Sequence, residues 1–580
     1  LNINQPTGFD CPGCAWPEKK DAHAFNFCEN GAKAVAFEAT SKRVTPDFFA
    51  THTVSWLSEQ SDFLLEDSGR LTDPMRYDSA TDKYVPISWD DAFALIAKHL
   101  HALDHPDQAA FYTSGRASNE AAFLYQLFVR AFGTNNFPDC SNMCHETTSV
   151  GLRDSIGLGK GTVTLEDFDI ADAIFSFGHN PGTNHPRMLG TLREVSRRGG
   201  NIVAINPLKE RGLERFQDPQ AAVEMMTNGS TPISRYYFQP NVGGDYALMF
   251  GMLKHLREWD IQALAAGKKS VFDRSFIEMN TVGFDAMMEE IDRTAWSDIH
   301  AHTGLSPEHL ESLAKMYLDA KTAIFCWGMG ITQHRHGTAN VHMLANLMLA
   351  RGHIGRPGAG LAPIRGHSNV QGDRTMGINE RPSPKLLDSL DRVFGIKSPR
   401  EHGFGVVDTI QAMYEGDVKV FIGLGGNFAV ATPDTPYTQE GLRRCDLTVQ
   451  IATKLNRSHL VCGKEALLLP CLGRTEVDMQ QHGPQAVSVE DSMSNVHLSA
   501  GRNEPASKNL LSEPDIVARM AAAVLPDSDI KWKWYVESYD RIRDSIEEVF
   551  DEFHDFNARV YQPGGFHLEH PAISMYGIRL

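Results

Sequence analysis

Short apolar runs recur along this chain, each stopped by a glycine or a polar turn. Ala109-Ala110-Phe111-Tyr112 ends at Ser114-Gly115, Ala173-Ile174-Phe175-Ser176-Phe177 at Gly178, and Asn201-Ile202-Val203-Ala204-Ile205 at Asn206-Pro207. Thr322 to Cys326, Val418 to Ile422 and Leu447 to Ile451 repeat the pattern farther on. Runs of this length without polar alternation predict strands buried on both faces. Between them the apolar positions take helical spacing, over Trp89 to Leu100, Asn119 to Phe132 and from beyond Gly178 through Arg197. Ser88 is placed as an N-cap, with Asp91 three residues later resembling a capping box. Strand and helix patterns in alternation predict βαβ units and parallel sheets, an α/β fold. Residues 1–75 are punctuated by Gly and Pro, with mixed stretches such as Ala34 to Ala39, and predict a small β-rich lobe. The polar stretch 478–515 predicts a long excursion over the surface.

With 580 residues the chain exceeds one hydrophobic core, since cores stop growing near roughly 250–300 residues. About three or four lobes are expected. The composition is that of an ordinary globular protein, 42% hydrophobic and 22% charged, which excludes disordered and collagen-like classes. A net charge of −18 disfavours nucleic acid as a partner. No apolar run approaches the ~20 residues that span a bilayer. The opening Leu1-Asn2-Ile3-Asn4-Gln5 carries no charged leader or twin arginine, and without an initiator Met some preceding residues are expected to be missing.

Nine cysteines, few for this length and odd in number, argue against a disulfide framework. Cys11-Pro12-Gly13-Cys14 with Cys28 suits an iron–sulfur cluster or a zinc, with His23 or Asp21 to complete the set; unligated thiols are the alternative. Asp139-Cys140-Ser141-Asn142-Met143-Cys144-His145-Glu146 joins a thiol to an imidazole, open to use as nucleophile, metal ligand, redox group or plain buried cysteine. The strand-end loops 112–116, 178–181, 206–209 and 423–427 would let backbone amides approach phosphates. None is a Walker A or a GxGxxG, so ATP and simple NAD readings fare poorly. Pro363-Ile364-Arg365-Gly366-His367-Ser368-Asn369-Val370-Gln371-Gly372 is polar between glycines and suits a small oxyanion, which Arg binds bidentately.

Taken in order, these residues resemble the molybdopterin oxidoreductase superfamily, most closely its formate dehydrogenase alpha-subunit-like branch. Tyr112 to Glu120 looks like the family's early SGRASNE stretch, and Cys140 to His145 is similar to the segment whose Cys or selenocysteine binds molybdenum. Gly178 to Pro186 and Asn206-Pro207 resemble its guanine-dinucleotide loops. Trp327-Gly328-Met329-Gly330 and the 363–372 loop look like the stretch ending in the substrate arginine.

The resemblance implies a bis-molybdopterin guanine dinucleotide cofactor carrying Mo or W, with Cys144 as protein ligand and His145 and Arg365 beside a small anionic substrate such as formate. It implies cofactor contacts at Ser114, Gly115 and Arg116, at Gly178, Asn180, Asn184 and His185, and at Asn206 and Pro207. Gly328, Met329, Gly423, Gly425, Asn427 and Lys454 complete that set. A 4Fe-4S type cluster on Cys11, Cys14 and Cys28 would pass electrons to an acceptor protein or subunit, in the cytoplasm, with no oligomeric state specified. The domains expected are an iron–sulfur lobe (1–75) and a first α/β pterin-dinucleotide domain (76–150 plus 368–475). A second α/β domain (151–367) and a return segment packing on the N-terminal lobe (476–580) follow. The family's C-terminal β-barrel-like domain has no counterpart in the residues through Leu580.

Two departures stand out. The family's cluster motif has a further Cys soon after the CxxC, and its Lys-Gly reads Asn30-Gly31 here, with Lys33 as the substitute. Glu146 stands where formate enzymes have a small residue. The reading expected is a formate dehydrogenase-like oxidoreductase, with an oxo-substrate reductase or a cofactor-free scaffold subunit as alternatives.

Overall fold

The computed structural model describes residues 3–5, 7–17 and 28–569. Its first sheet contains, edge to edge, the strands Lys83–Pro86, Met75–Asp78, Glu465–Pro470, Leu447–Ala452, Val420–Leu424 and Ala109–Thr113. The last four run parallel, with Val420 opposite both Ala109 and Leu447. The 75–86 hairpin is an antiparallel edge. The second sheet is wholly parallel, in the order Tyr236–Phe238, Asn201–Ile205, Ala173–Phe177, Ala323–Trp327, Gly360–Pro363. Parallel strands need crossover helices that cover both faces of the sheet. Ala109–Thr113, Ala173–Phe177, Ala323–Trp327, Val420–Leu424 and Leu447–Ala452 are therefore buried at every position. The α/β class with parallel sheets is the one the sequence led us to expect.

The helices begin where their caps allow. Ser88 Oγ accepts the Asp91 amide at 3.1 Å, starting Trp89–His101, and Ser118 Oγ accepts that of Ala121 at 3.1 Å, starting Asn119–Phe132. Glu513–Val524 lies against both, so residues from the C-terminal part of the chain complete the first core. Each large apolar side chain buried there contributes roughly 1.5–3 kcal/mol. Arg543 and Glu120, both fully buried, pair at 2.8 Å between the same layers.

Two expectations are corrected. The region 28–75 is largely helical rather than β-rich, with helices Glu29–Glu38, Pro46–Thr51, Val54–Ser58 and Asp62–Asp67 and only short strands. Caps account for this: Cys28 Sγ accepts the Gly31 amide at 3.2 Å, and Thr53 and Ser61 cap the helices after them. Residues 488–494, expected on the surface, are buried. Strands Val487–Glu490 and Asn495–Ser499 pair with each other, and Phe566–His567 adds to the second. Several of their polar groups are satisfied internally: the Ser488 amide by Glu120 at 2.7 Å, the Glu490 amide by Asn369 at 2.7 Å, and the Glu490 carboxylate by Gln371 at 2.8 Å. Polarity in this stretch reports a buried hydrogen-bonded wedge, not exposure.

The chain crosses between the sheets twice, outward through residues 133–172 and back through 364–372. Both crossings carry the polar residues singled out above.

Candidate active site

A cavity of about 1130 Å³ lies where the carboxyl ends of both sheets meet. Ser114 and Gly425 lead into it from the first sheet, with Lys454 just beyond Ala452; Gly178, Asn206, Gly328 and Ile364 lead into it from the second. In open α/β sheets this is where ligands bind. Gly115, Arg116, Asn180, Asn184, His185, Pro207, Met329 and Asn427 also line it. Gly423 does not. A Cβ there would lie 2.8 Å from Gln450 Oε1, so packing inside the sheet accounts for that glycine.

Other glycines are needed for close approach. Gly178 has φ +52°, and a Cβ on Gly330 would lie 2.5 Å from the Gly178 carbonyl oxygen, so two strand-end loops pass backbone to backbone. Gly425 and Gly426 have φ of +73° and +83°, beyond the usual reach of a residue with a Cβ. Arg116, exposed to the cavity, makes no side-chain hydrogen bond or ion pair among the described residues.

The wall nearest the first crossing is the helix Cys140–Cys144. Asp139 caps it, its Oδ1 accepting the Asn142 amide at 3.0 Å while Asn142 Oδ1 accepts the Asp139 amide at 3.1 Å. Cys140 and Cys144, one turn apart, both line the cavity. Cys144 Sγ lies 3.3 Å from Met329 Sδ, and Cys140 Sγ 3.2 Å from His367 Nδ1. Burial pushes the Cys144 thiol up to about 11, against the opposing pull of Arg365 and the Gly366 amide.

His145 sits at the joint with the next helix, Glu146–Ile156, its backbone at φ −129°, ψ 22°. Its Nδ1 is 3.0 Å from Thr148 Oγ1, which also accepts Trp327 Nε1 at 3.0 Å; its Nε2 is buried without a hydrogen-bond partner among the described residues. His179 Nε2 lies 2.8 Å from His185 Nδ1, and His185 Nε2 lies 2.6 Å from the Arg365 carbonyl oxygen. A carbonyl only accepts, so His185 carries its proton on Nε2 and His179 donates from its own Nε2. His179 Nδ1 is then a buried acceptor with no partner among the described residues. Desolvation keeps these rings neutral, lowering His145 to about 3, His185 to about 4 and His179 well below its usual range.

Arg365 is not on the cavity surface, although Ile364, Gly366 and His367 are. Its guanidinium is fully buried, donating to Ser149 Oγ at 3.1 Å and the Gly159 carbonyl at 3.0 Å. It places positive charge near Cys144 and His145, depressing both. This corrects the picture of a guanidinium open to substrate. Glu146 also turns from the cavity, pairing with Arg374 at 2.5 Å.

At the N-terminus, Cys11 Sγ accepts the Gly13 amide at 3.4 Å, and a Cβ on Gly31 would lie 3.0 Å from Cys11 Sγ and 3.4 Å from Cys28 Sγ. Pro12 and Gly13 line the cavity. Burial raises the Cys11 thiol to about 12 and raises Cys14 as well. Among the described residues no three His, Cys, Asp or Glu side chains converge as a metal site; His23 and Asp21 lie outside those residues. Lys33, the substitute for the family lysine, is exposed and paired with Glu29 at 2.7 Å.

Sequence reasoning did not single out His179, His367, Asp245 or Arg474, all on the cavity wall. His179 and His367 were flagged only by lying in Gly-flanked polar loops. Asp245 opens the helix Asp245–Ala265 and reads as an ordinary first-turn acid; burial raises it to about 6. Arg474 is held by Asp10 at 2.7 Å and Ser368 at 2.6 Å, long-range contacts with no local signature.

No helix among the described residues is long and apolar enough to cross a membrane. Residues 70–459 match the model of the molybdopterin oxidoreductase family. The chain is 53% identical over 568 residues to the protein YdeP of Escherichia coli (strain K12), covering 98% of this chain and 75% of that one. It is 51% identical over 571 residues to the uncharacterized oxidoreductase Rv2900c of Mycobacterium tuberculosis (strain ATCC 25618 / H37Rv), covering 98% and 73%. Formate dehydrogenase H of Escherichia coli is 28% identical over 364 residues, covering 60% of this chain and 47% of that enzyme. Among solved structures, acetylene hydratase from Pelobacter acetylenicus superposes with a TM-score of 0.63 at 16% identity, covering 95% of this chain and 67% of that one, a likeness of fold alone.

Proposed function

The chain belongs to the molybdopterin oxidoreductase family, which implies a molybdopterin cofactor with Mo or W, and on that premise we propose that it oxidises a small anion by two electrons, with formate the first substrate to test. The observation that carries the proposal is the pairing of Cys144 and His145 on the wall of a glycine-flanked cavity at the carboxyl ends of two parallel sheets.

The residues fit such a group. The cavity exceeds the roughly 300–1,000 Å³ of drug-sized sites, as two pterin dinucleotides require. Gly178, Gly328, Gly425 and Gly426 line the cavity and, lacking side chains, let a ligand approach its wall closely, while the amides of Gly178, Gly328 and Gly425 are already held by the carbonyls of Ile205, Phe177 and Ile451. Arg116 offers an uncommitted guanidinium to a phosphate, and Asp245 a buried carboxylate to the N–H edge of a guanine. Cys144 is a soft sulfur donor for the metal. When bound, the cofactor supplies the redox chemistry, and the protein holds and tunes it.

The chain's own groups then act as follows. His145, held by Thr148 and kept neutral by burial and by the Arg365 charge, presents a fixed neutral imidazole beside Cys144 that can orient the substrate. Arg365 supplies a fixed positive charge behind Cys144 and His145, which favours an anionic substrate over a neutral one. Electrons would leave through an iron–sulfur cluster on Cys11, Cys14 and Cys28, of which Cys11 and Cys28 accept amide hydrogens as cluster thiolates do, to a partner protein.

Metal analysis with steady-state assays tests the proposal. Molybdenum or tungsten near one atom per chain together with formate-dependent reduction of a dye supports it. Stoichiometric metal with no formate turnover overturns the substrate, and absence of both metals overturns the enzyme reading.

A further inference from the structure

Arg374, on the helix Val370–Thr375, lies outside the crossing that carries the two thiols, yet it holds both ends of their segment. Its Nη2 pairs with Asp139 Oδ1 at 2.8 Å and with Glu146 Oε2 at 2.5 Å, and its Nη1 lies 3.4 Å from Glu380 Oε2. Asp139 immediately precedes Cys140, and Glu146 immediately follows His145. A single guanidinium nitrogen therefore brackets the segment from Cys140 to His145.

The segment needs such a clamp. A helix of five residues has no stability of its own, because nucleation costs more than so few hydrogen bonds return. It is followed at His145 by a non-helical joint and then by a second helix. Other contacts hold it at single points: Thr332 Oγ1 donates to the Cys144 carbonyl at 2.7 Å, Gln333 Nε2 to that of Met143 at 2.9 Å, and the Val406 amide to Asn142 Oδ1 at 3.2 Å. The clamp is itself cross-linked, since Asn142 Nδ2 donates to Glu146 Oε2 at 3.2 Å while the Asn142 side chain completes the Asp139 capping box. Arg374 side chain is 13% exposed and Asp139 2%, so their attraction is little screened. Glu146 thus serves as an anchor that turns away from the cavity.

We propose that Arg374, by joining Asp139 to Glu146, is the positioning residue that fixes where Cys144 and His145 face the cavity. The inference rests on the proposed role of Cys144 only for its consequence at the metal; the clamp itself is independent of it.

Hydrogen–deuterium exchange on the purified protein reads the clamp. In Arg374→Gln, the amides of 140–148 should exchange at least tenfold faster, while those of the strand Val420–Leu424 change much less. Glu146→Gln, at a partly exposed position, should show the same local effect, smaller in size. The double variant should be no faster than Arg374→Gln alone. Unchanged exchange at 140–148 in both single variants overturns the proposal, as does exchange that rises uniformly over the whole chain. X-ray absorption at the metal adds a signature that a merely structural role would not move. Positioning predicts that one sulfur scatterer is lost or lengthened in Arg374→Gln, as in a Cys144→Ala control. Reduced metal with an unchanged sulfur shell means that Arg374 supports folding only. An unchanged shell in the Cys144→Ala control overturns the ligand assignment and leaves the exchange result to decide the clamp.

Discussion

His185 Nε2 donates to the carbonyl oxygen of Arg365 across 2.6 Å, joining a loop of the second sheet to the segment on which the chain returns to the first. His179 donates in turn to His185 at 2.8 Å. His185→Ala leaves a buried carbonyl and a buried ring N–H unpartnered, each costing about 1–3 kcal/mol. Denaturant unfolding should show that loss, with His185→Gln recovering part of it through a side-chain amide donor. An unchanged midpoint in His185→Ala would mean that this hydrogen bond carries no net stability.

Cys144→Ala is expected to keep its pterin while losing turnover, because the proposed sulfur donor is removed while the rest of the cavity wall is unchanged. Pterin content by fluorescence after release, alongside activity, separates the two. Full turnover in this variant would falsify the assignment of Cys144 as ligand.

Arg365 tests the nature of the substrate. Losing a desolvated charge contact typically costs about 2–5 kcal/mol, a drop in kcat/KM of roughly 30-fold to several thousandfold. Arg365→Lys should recover little, since one ammonium cannot replace the donors that reach both Ser149 and Gly159. If wild type, Arg365→Lys and Arg365→Ala turn over formate within about threefold of one another, the buried charge has no part in binding or oxidising the anion.

The N-terminal thiols are expected to hold an iron–sulfur cluster with at least one ligand besides Cys11, Cys14 and Cys28. Electron paramagnetic resonance of the reduced protein should give a cluster signal that disappears in Cys11→Ser. Zinc bound there in anaerobically prepared protein, or no metal at all, contradicts this.

His459 gives a pH dependence of known sign. Burial lowers it to about 3, and its Nδ1 accepts the Asn456 amide at 3.0 Å, an interaction only the neutral ring can make. The unfolded chain takes up a proton near the ordinary histidine value of about 6.5 while the folded chain does not. The stability this residue contributes is therefore present above about pH 6.5 and is lost as pH falls toward 3. Between pH 6 and 4 the wild type should lose up to about 1.4 kcal/mol per pH unit more than His459→Asn. Parallel pH profiles of the unfolding midpoint would show that the ring is not held neutral.

The division between sequence and tertiary structure follows the range of the forces involved. Strands such as Ala173–Phe177, the helix Asn119–Phe132 and the loops at Gly178, Asn206 and Gly425 could be read directly. Burial on both faces of a parallel sheet, a side-chain cap and a glycine at a strand end are local demands, met within a few residues. Cys144 and His145 were legible because they are adjacent in a recognisable segment. What lay beyond reach depends on partners hundreds of residues apart. Arg365 sits beside the cavity in sequence terms, yet Ser149 and Gly159 draw its guanidinium into the interior. Glu146 reads as a charge entering the site until Arg374 takes it up. The stretch 488–494 reads as surface because it is polar, and is buried because Glu120, Asn369 and Gln371 supply its hydrogen bonds. Local propensity decides which element forms; only the folded arrangement decides which buried polar groups find one another, and so which way a charged side chain points.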